Sequence, residues 1–236
     1  MSWGRLMNAF LDTNVIIGYI YSLDPLHIAS RKAIVDENTN YYSFHVNEEI
    51  DGVSRRKDRE YAKFLTRLEM IFNKYGDYDF IDLSEIHMKV NRFGQIGRFE
   101  VNDMHNAIDV IWQELNFDEN TDAFKAKTEF NNYFRNFESK HRTGKKDCLK
   151  KMNFIPAHQN KDSNVLEVID KKSLKDYFHG EDEKILFDIH EYLKNNTIKD
   201  LVLISNDKDF IKAISELINI LSFNKYVYLE DLLKNS

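Results

Sequence analysis

Four acidic positions fall at the ends of patterned segments rather than along exposed faces. Asp12 closes the apolar run Ala9-Phe10-Leu11, and Glu49, with Glu48 beside it, follows an aromatic stretch over residues 41–46. Asp182 heads the ladder Asp182, Leu186, Ile189, Leu193, which helical spacing places on one buried face. Asp207, with Asp209 two residues on, directly follows Leu201-Val202-Leu203-Ile204. A parallel sheet gathers strand ends and helix starts at one rim, where the chemistry of open α/β folds collects. Carboxylates converging there repel one another unless a divalent cation joins them. Mg²⁺ or Mn²⁺, which takes hard carboxylate oxygens and water, suits such a donor set. Each acid also has a local explanation. Asp12-Thr13-Asn14 is a capping turn; Glu48, Glu49 and Asp182 are first-turn acids favoured by the helix dipole; Asp207 caps a helix.

The elements that must position these acids are α and β in alternation at both ends. Residues 8–11 read as a strand, and a helix carrying Val15, Ile16, Ile17 and Ile20 stops near Asp24-Pro25. Residues 27–35 read as a helix, 38–40 as a turn and 41–46 as a strand, with Asn47 capping the next helix. An amphipathic helix follows over 59–75, then a break at 76–79 and a short strand at 80–83 with Ser84 as a cap. Two more helical stripes follow, Met104 to Leu115 and Ala123 to Phe137. Residues 141–151 are basic and include a Gly144-Lys145-Lys146 turn, while 152–170 carry little pattern. Helices at 173–178 and 181–194, a buried strand at 201–204, a helix from Phe210 and a strand at 226–229 complete the chain. The fold class is thus α/β, a central parallel sheet sandwiched by helices, with core segments 7–76 and 177–236 and a mainly helical insertion over 77–176.

Composition narrows the function classes. The chain has 236 residues, 42% hydrophobic, so it can bury a core. The formal charge of −6 leaves nucleic acid open, because binding depends on local basic patches. The runs Arg55, Arg56, Lys57, Arg59 and His141, Arg142, Lys145, Lys146, Lys150, Lys151 are such patches or else solvated faces. One cysteine, Cys148, excludes an internal disulfide and suits a reducing cytoplasm. No apolar stretch is long enough to span a bilayer, and no signal-peptide pattern opens the chain; Met1 and Met7 are alternative starts, the second of which would make residues 1–6 an extension. His87, His105, His141 and His158 are too scattered in the sequence for a zinc site. The segment from Arg92 to Arg98 lacks the Lys-Ser or Lys-Thr of a phosphate-binding loop. Tyr41, Tyr42, Phe130, Tyr133, Phe134 and Phe137 could stack bases, but helical spacing assigns the last four to a core.

In order and placement these segments resemble the PIN domain nucleases, a family that includes the VapC toxins of toxin–antitoxin pairs. Phe10-Leu11-Asp12-Thr13-Asn14-Val15 is similar to the family's first motif, which gives Asp12 the role of its first metal-binding acid. Ser43 to Ile50 is similar to the second, with Glu49 the best match and Glu48 the fallback; Val46 stands where many members carry a hydroxyl residue. Asp182-Glu183-Lys184-Ile185-Leu186 resembles the third. Leu203 to Phe210 resembles the last, with Asp207 as the fourth acid, Asp209 nearby and Ser205 as the small hydroxyl of that loop. The central segment is much longer than short members carry.

The resemblance implies a PIN-like three-layer α/β/α fold and a metal-dependent hydrolase, an endoribonuclease that is toxin-like or defence-related. Asp12 and Asp207 would hold the principal Mg²⁺ or Mn²⁺, and Glu49 and Asp182 would complete the site or hold a second ion. Asp209 would be a ligand or outer support, and Asn14 and Ser205 would orient ligands or phosphate. The partners this implies are RNA, a second copy in a homodimer, and an antitoxin or regulatory protein, with no membrane. The alternatives are a DNA-directed, flap-type nuclease of the same chemistry and a non-catalytic RNA-binding or scaffold module.

Overall fold

The computed structural model describes residues 8–35, 38–159, 161–196, 198, 200–223 and 225–234. The proposed extension before Met7 lies outside the described residues. In chain order the elements are β1 (Asn8–Leu11), α1 (Thr13–Ile20), α2 (His27–Ala33), β2 (Thr39–Ser43), α3 (Phe44–Phe72), β3 (Phe80–Asp82), α4 (Leu83–Val90), α5 (Val101–Glu114) and β4 (Asn120–Asp122). Then come α6 (Ala123–Lys150), β5 (Asn153–Ile155), α7 (Ser163–Lys171), a 3-10 turn (Leu174–Tyr177), α8 (Asp182–Asn195), β6 (Leu201–Ser205), α9 (Lys208–Leu217), β7 (Lys225–Tyr228) and α10 (Asp231–Lys234).

The chain divides into two compact units. The first comprises Met1–Ile20, Leu26–Gly52 and Lys146–Ser236, and holds a five-stranded sheet in the order β5-β2-β1-β6-β7. Every neighbouring pair in it is parallel. Every residue of β6 and all but the first of β1 are buried. Because side chains alternate across a strand, burial at successive positions means both faces of the sheet are covered. α8 packs against β2 and β5, while α1 and α9 pack against β6. The architecture is α/β with a parallel central sheet, compatible with three layers.

The second unit comprises Tyr21–Pro25 and Val53–Lys145. It pairs β3 with β4 antiparallel and packs helices around an aromatic core. Tyr61 stands edge-on to Phe99 at 5.0 Å between ring centroids, and Phe72 to Phe130 at 4.8 Å. Phe130 and Phe137 are buried there, which assigns these two rings to packing rather than to base stacking.

Several sequence expectations shift. The strand expected over 41–46 ends at Ser43, and the turn expected at 38–40 gives way to a strand beginning at Thr39. α3 starts at Phe44, with no cap at Asn47; Val46 N–H donates to Ser43 Oγ at 3.4 Å instead. Val46 and Ile50 are both fully buried at helical spacing, so tertiary packing overrides the strand propensity of Phe44-His45-Val46. Glu48 and Glu49 therefore lie beyond the first turn, where a dipole explanation for them lapses. The basic stretch 141–150 is helical, continuous with α6, and Gly144 makes no turn. Asp82, not Ser84, caps α4 by accepting from the N–H groups of Ser84 and Glu85. Residues 153–155 join the sheet as β5, and Asp162 caps α7. The two compact units divide the chain at 20/21, 25/26, 52/53 and 145/146. α3, which ends at Phe72, contributes residues to both units, and β5 lies in the sheet of the first.

Candidate metal centre at the carboxyl rim of the sheet

From β1 the chain passes to β2 on one side; β6, on the other side, leads outward to β7. The strand order therefore reverses between β1 and β6, and a crevice forms at the carboxyl ends of strands at such a reversal. Asp12 follows β1 and Asp207 follows β6 at this place. The sheet ladder continues one residue further, since Asp12 N–H donates to Ile204 O at 3.1 Å.

Asp12 is 3% exposed, and both its oxygens are held. Oδ1 accepts from Thr13 N–H at 2.7 Å. Oδ2 accepts from Ser205 Oγ at 2.6 Å and from Asn14 Nδ2 at 2.8 Å. Asn14 Oδ1 in turn accepts from Asn206 N–H at 2.8 Å, and Ser205 Oγ accepts from Asp207 N–H at 3.0 Å. The turns after β1 and β6 are thus tied together around one carboxylate.

The other three acids are each held by one oxygen. Glu49 Oε2 accepts from Thr13 Oγ1 at 2.7 Å. Asp182 Oδ2 accepts from His179 N–H at 2.7 Å. Asp207 Oδ1 caps α9, accepting from Asp209 N–H and Phe210 N–H, both at 2.9 Å. Among the described residues the second oxygen of each takes no hydrogen bond. Helix capping, the local explanation for Asp207, holds as well, but it uses only one of that residue's oxygens.

Electrostatics place the four together. Burial raises Asp12 to about 6 against the hydrogen bonds from Ser205 and Thr13, and the charges of Glu49 and Asp207 add to the rise. Burial raises Asp182 to about 7, opposed by the His179 N–H and reinforced by Asp12, Asp207 and Glu49. Glu48 is exposed, and its charge acts on Lys184; Glu49 is the member of the pair that faces Asp12. Asp209 is exposed and turned to the His179 ring, its Oδ2 3.2 Å from Nε2, which puts it outside the inner group.

Two residues of this neighbourhood escape a sequence reading for acids. Thr13 bridges Asp12 to Glu49 through its backbone and its hydroxyl. His179 holds Asp182 by its backbone, while its ring is drawn toward the charged form by Asp209 first and also by Asp207 and Asp182. Gly180, at φ 56°, turns the chain from His179 into α8. The start of α3 is joined in turn to the middle of α8 by His45 Nδ1 on Asp188 Oδ2 at 2.8 Å, with the other Asp188 oxygen accepting from His158 N–H at 3.0 Å. That part-buried pair ties together the helices that deliver Glu49 and Asp182.

A tighter group lies elsewhere. Candidate ligand atoms of Asp162, His190 and Glu191 all lie within 4.8 Å of one another, closer than any three of the rim acids. A cation is already there: Lys194 Nζ lies 2.7 Å from Asp162 Oδ2 and 3.6 Å from Glu191 Oε1. His190 Nδ1 accepts from Ser222 N–H at 3.0 Å, so the neutral ring carries its proton on Nε2, toward Asp162 at 3.4 Å. With both ring nitrogens engaged and a lysine in the middle, this trio is a closed polar network.

The histidines are less scattered than their spacing suggests. α4 and α5 bring the His87 and His105 rings to a stacked 4.8 Å, with Asp109 on His87 Nε2 at 2.9 Å. The first basic run is partly engaged, since Lys57 pairs with Asp24 at 2.9 Å. Arg142 of the second pairs with Glu138 at 2.6 Å.

Compared with known proteins, the chain matches no family model, no curated protein and no solved structure. No described helix is long and apolar enough to cross a membrane.

Proposed function

We propose that this chain is a metal-dependent nuclease with a PIN-like fold, hydrolysing RNA phosphodiester bonds at the carboxyl rim of its sheet. One observation carries the proposal. A buried, fully oriented carboxylate at the strand-order reversal stands within electrostatic reach of three acids, each with one anchored and one unengaged oxygen. The donor set is all oxygen, the kind Mg²⁺ or Mn²⁺ prefers, although no three of its ligand atoms gather as closely as those of Asp162, His190 and Glu191.

Asp12, Glu49, Asp182 and Asp207 would hold the ion, Asp12 through lone pairs its hydrogen bonds leave over. A bound ion would supply an activated water and neutralise charge on the scissile phosphate. The chain's own part is orientation. Thr13, Asn14 and Ser205 aim Asp12, Thr13 also aims Glu49, and the His179 backbone aims Asp182. The exposed His179 ring stands beside Asp209, which draws it toward the charged form, and in that form it could hold a phosphate oxygen.

The test is cleavage of a mixed tRNA and rRNA pool with Mg²⁺ or Mn²⁺, with single-stranded and flap DNA in parallel. Metal-dependent cleavage of RNA that Asp12→Asn abolishes is the expected result. Cleavage of DNA alone moves the substrate to the flap-type alternative. No cleavage and no Mn²⁺-induced thermal shift would leave a scaffold with the fold but without the chemistry.

A further inference from the structure

A pocket of about 330 Å³ lies wholly in the second unit, between the end of α3 and the turn after α4. Arg67, Met70, Ile71 and Lys74 line it at helical spacing, along one face of α3 and its closing turn. Arg92 and Phe93 complete it. Phe93 is held in place: its N–H donates to Val90 O at 2.9 Å, and its ring stands edge-on to the buried Phe64 at 6.4 Å between centroids. Arg67 is held on Phe93, donating from Nη1 to Phe93 O at 2.6 Å with its guanidinium 5.7 Å from the ring centroid.

Half of the lining is cationic and none of it is acidic, in a chain whose formal charge is −6. Other cations of this unit are paired: Lys89 with Glu85 at 2.8 Å, and Lys127 with Asp77 and Lys140 with Glu114, both at 2.9 Å. Among the described residues Arg67, Lys74 and Arg92 have no carboxylate partner. Like charges gathered around one pocket repel, and a bound anion relieves that repulsion. All three side chains are exposed, so an anion reaches them from solvent.

Charge alone suits any anion, and the apolar part of the lining narrows the class. Met70 is 61% exposed and Phe93 is half-buried, so a thioether and an aromatic ring stand beside the cations with surface to offer. A single strand of nucleic acid carries the matching parts, phosphates on its backbone and bases with apolar faces, and proteins hold such strands by combining cations with aromatic side chains. An acidic peptide brings the charge without the flat apolar faces. We propose that this pocket holds single-stranded nucleic acid, with backbone phosphates on Arg67, Lys74 and Arg92 and a base against Phe93 and Met70. The segment opening at Arg92 lacks the residues of a phosphate-binding loop and contributes here through side chains instead. The site stands whether or not the acidic rim of the first unit cleaves RNA.

Binding is measured on the full chain with chelator present, so no cleavage is needed and failure of the nuclease proposal leaves this one standing. The probe is an oligouridylate of about 12 nucleotides. Lys74→Gln combined with Arg92→Gln, at exposed positions with no ion pair to break, should fold and should weaken binding at least about tenfold. It should also lower the slope of log Kd against log salt by about 1.4, the share of two phosphate contacts on a single strand. Lys146→Gln combined with Lys150→Gln removes the same charge from exposed positions of the other basic run and should lower neither as much. If the first variant fails to fold, competition on the wild type still decides: oligoglutamate of equal length and UMP should each displace the probe far less well than unlabelled oligouridylate does. Oligothymidylate assigns the sugar, since weaker binding than oligouridylate means RNA, tighter binding means DNA and equal binding means either strand. The proposal is overturned if no oligouridylate binds at low salt, if oligoglutamate or UMP competes as well as the strand, or if the Lys146 and Lys150 variant loses as much affinity and slope as the Lys74 and Arg92 variant.

Discussion

Ser205 Oγ donates to Asp12 Oδ2 at 2.6 Å and at the same time accepts from Asp207 N–H at 3.0 Å. One hydroxyl thus orients the acid after β1 and the backbone of the acid after β6. Ser205→Ala removes both contacts inside a buried site. A hydrogen bond to a charged group contributes about 1.5–3 kcal/mol, so unfolding free energy should fall by about that much. Asp12 also loses the largest influence opposing its raised pKa. The pH at which Mn²⁺ half-saturates the site should therefore move upward, which a Mn²⁺ titration across pH reads directly.

The metal-free protein should lose stability as pH rises through the range in which Asp12 and Asp182 ionise. Both have folded-state values, about 6 and about 7, above the ordinary 3.8. Between those limits the native state holds more protons than the unfolded chain, so stability falls with increasing pH. Below the ordinary value the contribution is fully present, and above about 7 it is gone. Thermal melts in chelator should show this decline. Mn²⁺ should flatten it by stabilising the ionised forms, and Asp182→Asn should shrink it without metal present.

Two groups of residues compete for a cation, and substitution separates them. With the rim as the site, Asp12→Asn and Asp182→Asn each abolish the Mn²⁺-induced Tm shift, and RNA cleavage drops by at least about 10²-fold, as expected when a metal's ligand set is broken. His190→Gln should leave both signals unchanged, because Lys194 already pairs with Asp162 and Glu191. A Mn²⁺ shift lost in His190→Gln and kept in Asp182→Asn would transfer the metal to the other group.

The sequence makes the two ends of the chain legible for a physical reason. β1 and β6 are continuous apolar runs because both faces of the sheet are covered there, and the acids that follow them break the pattern abruptly. Asp182 is legible because its helix keeps one clean stripe. The stretch around Ser43 is not: Phe44 and Val46 favour strands individually, and the burial of Val46 and Ile50 together holds them in a helix. The second acid needs that register, since Glu49 meets Thr13 while Glu48 faces solvent. β5 is three residues long and takes its hydrogen bonds from β2, so nothing local announces it. Thr13 is missed because it is uncharged and splits its role between its N–H and its hydroxyl, and His179 because it holds Asp182 through its backbone, which residue type does not encode.

Thr13 gives the sharpest separation of orientation from ligation. It carries no charge and would touch no ion, yet its N–H holds Asp12 and its hydroxyl holds Glu49. Thr13→Val keeps shape, volume and the N–H, and removes only the bond to Glu49. Outer partners of metal ligands typically account for 10- to 100-fold in affinity or activity, so Mn²⁺ affinity should fall by about tenfold or more. Asp12 should keep its orientation, and saturating Mn²⁺ should restore most of the cleavage. Glu49→Gln, which alters the proposed ligand itself, should not be rescued in this way. Metal titrations of cleavage rate on both variants make the comparison, and equal behaviour of the two would remove Glu49 from the site.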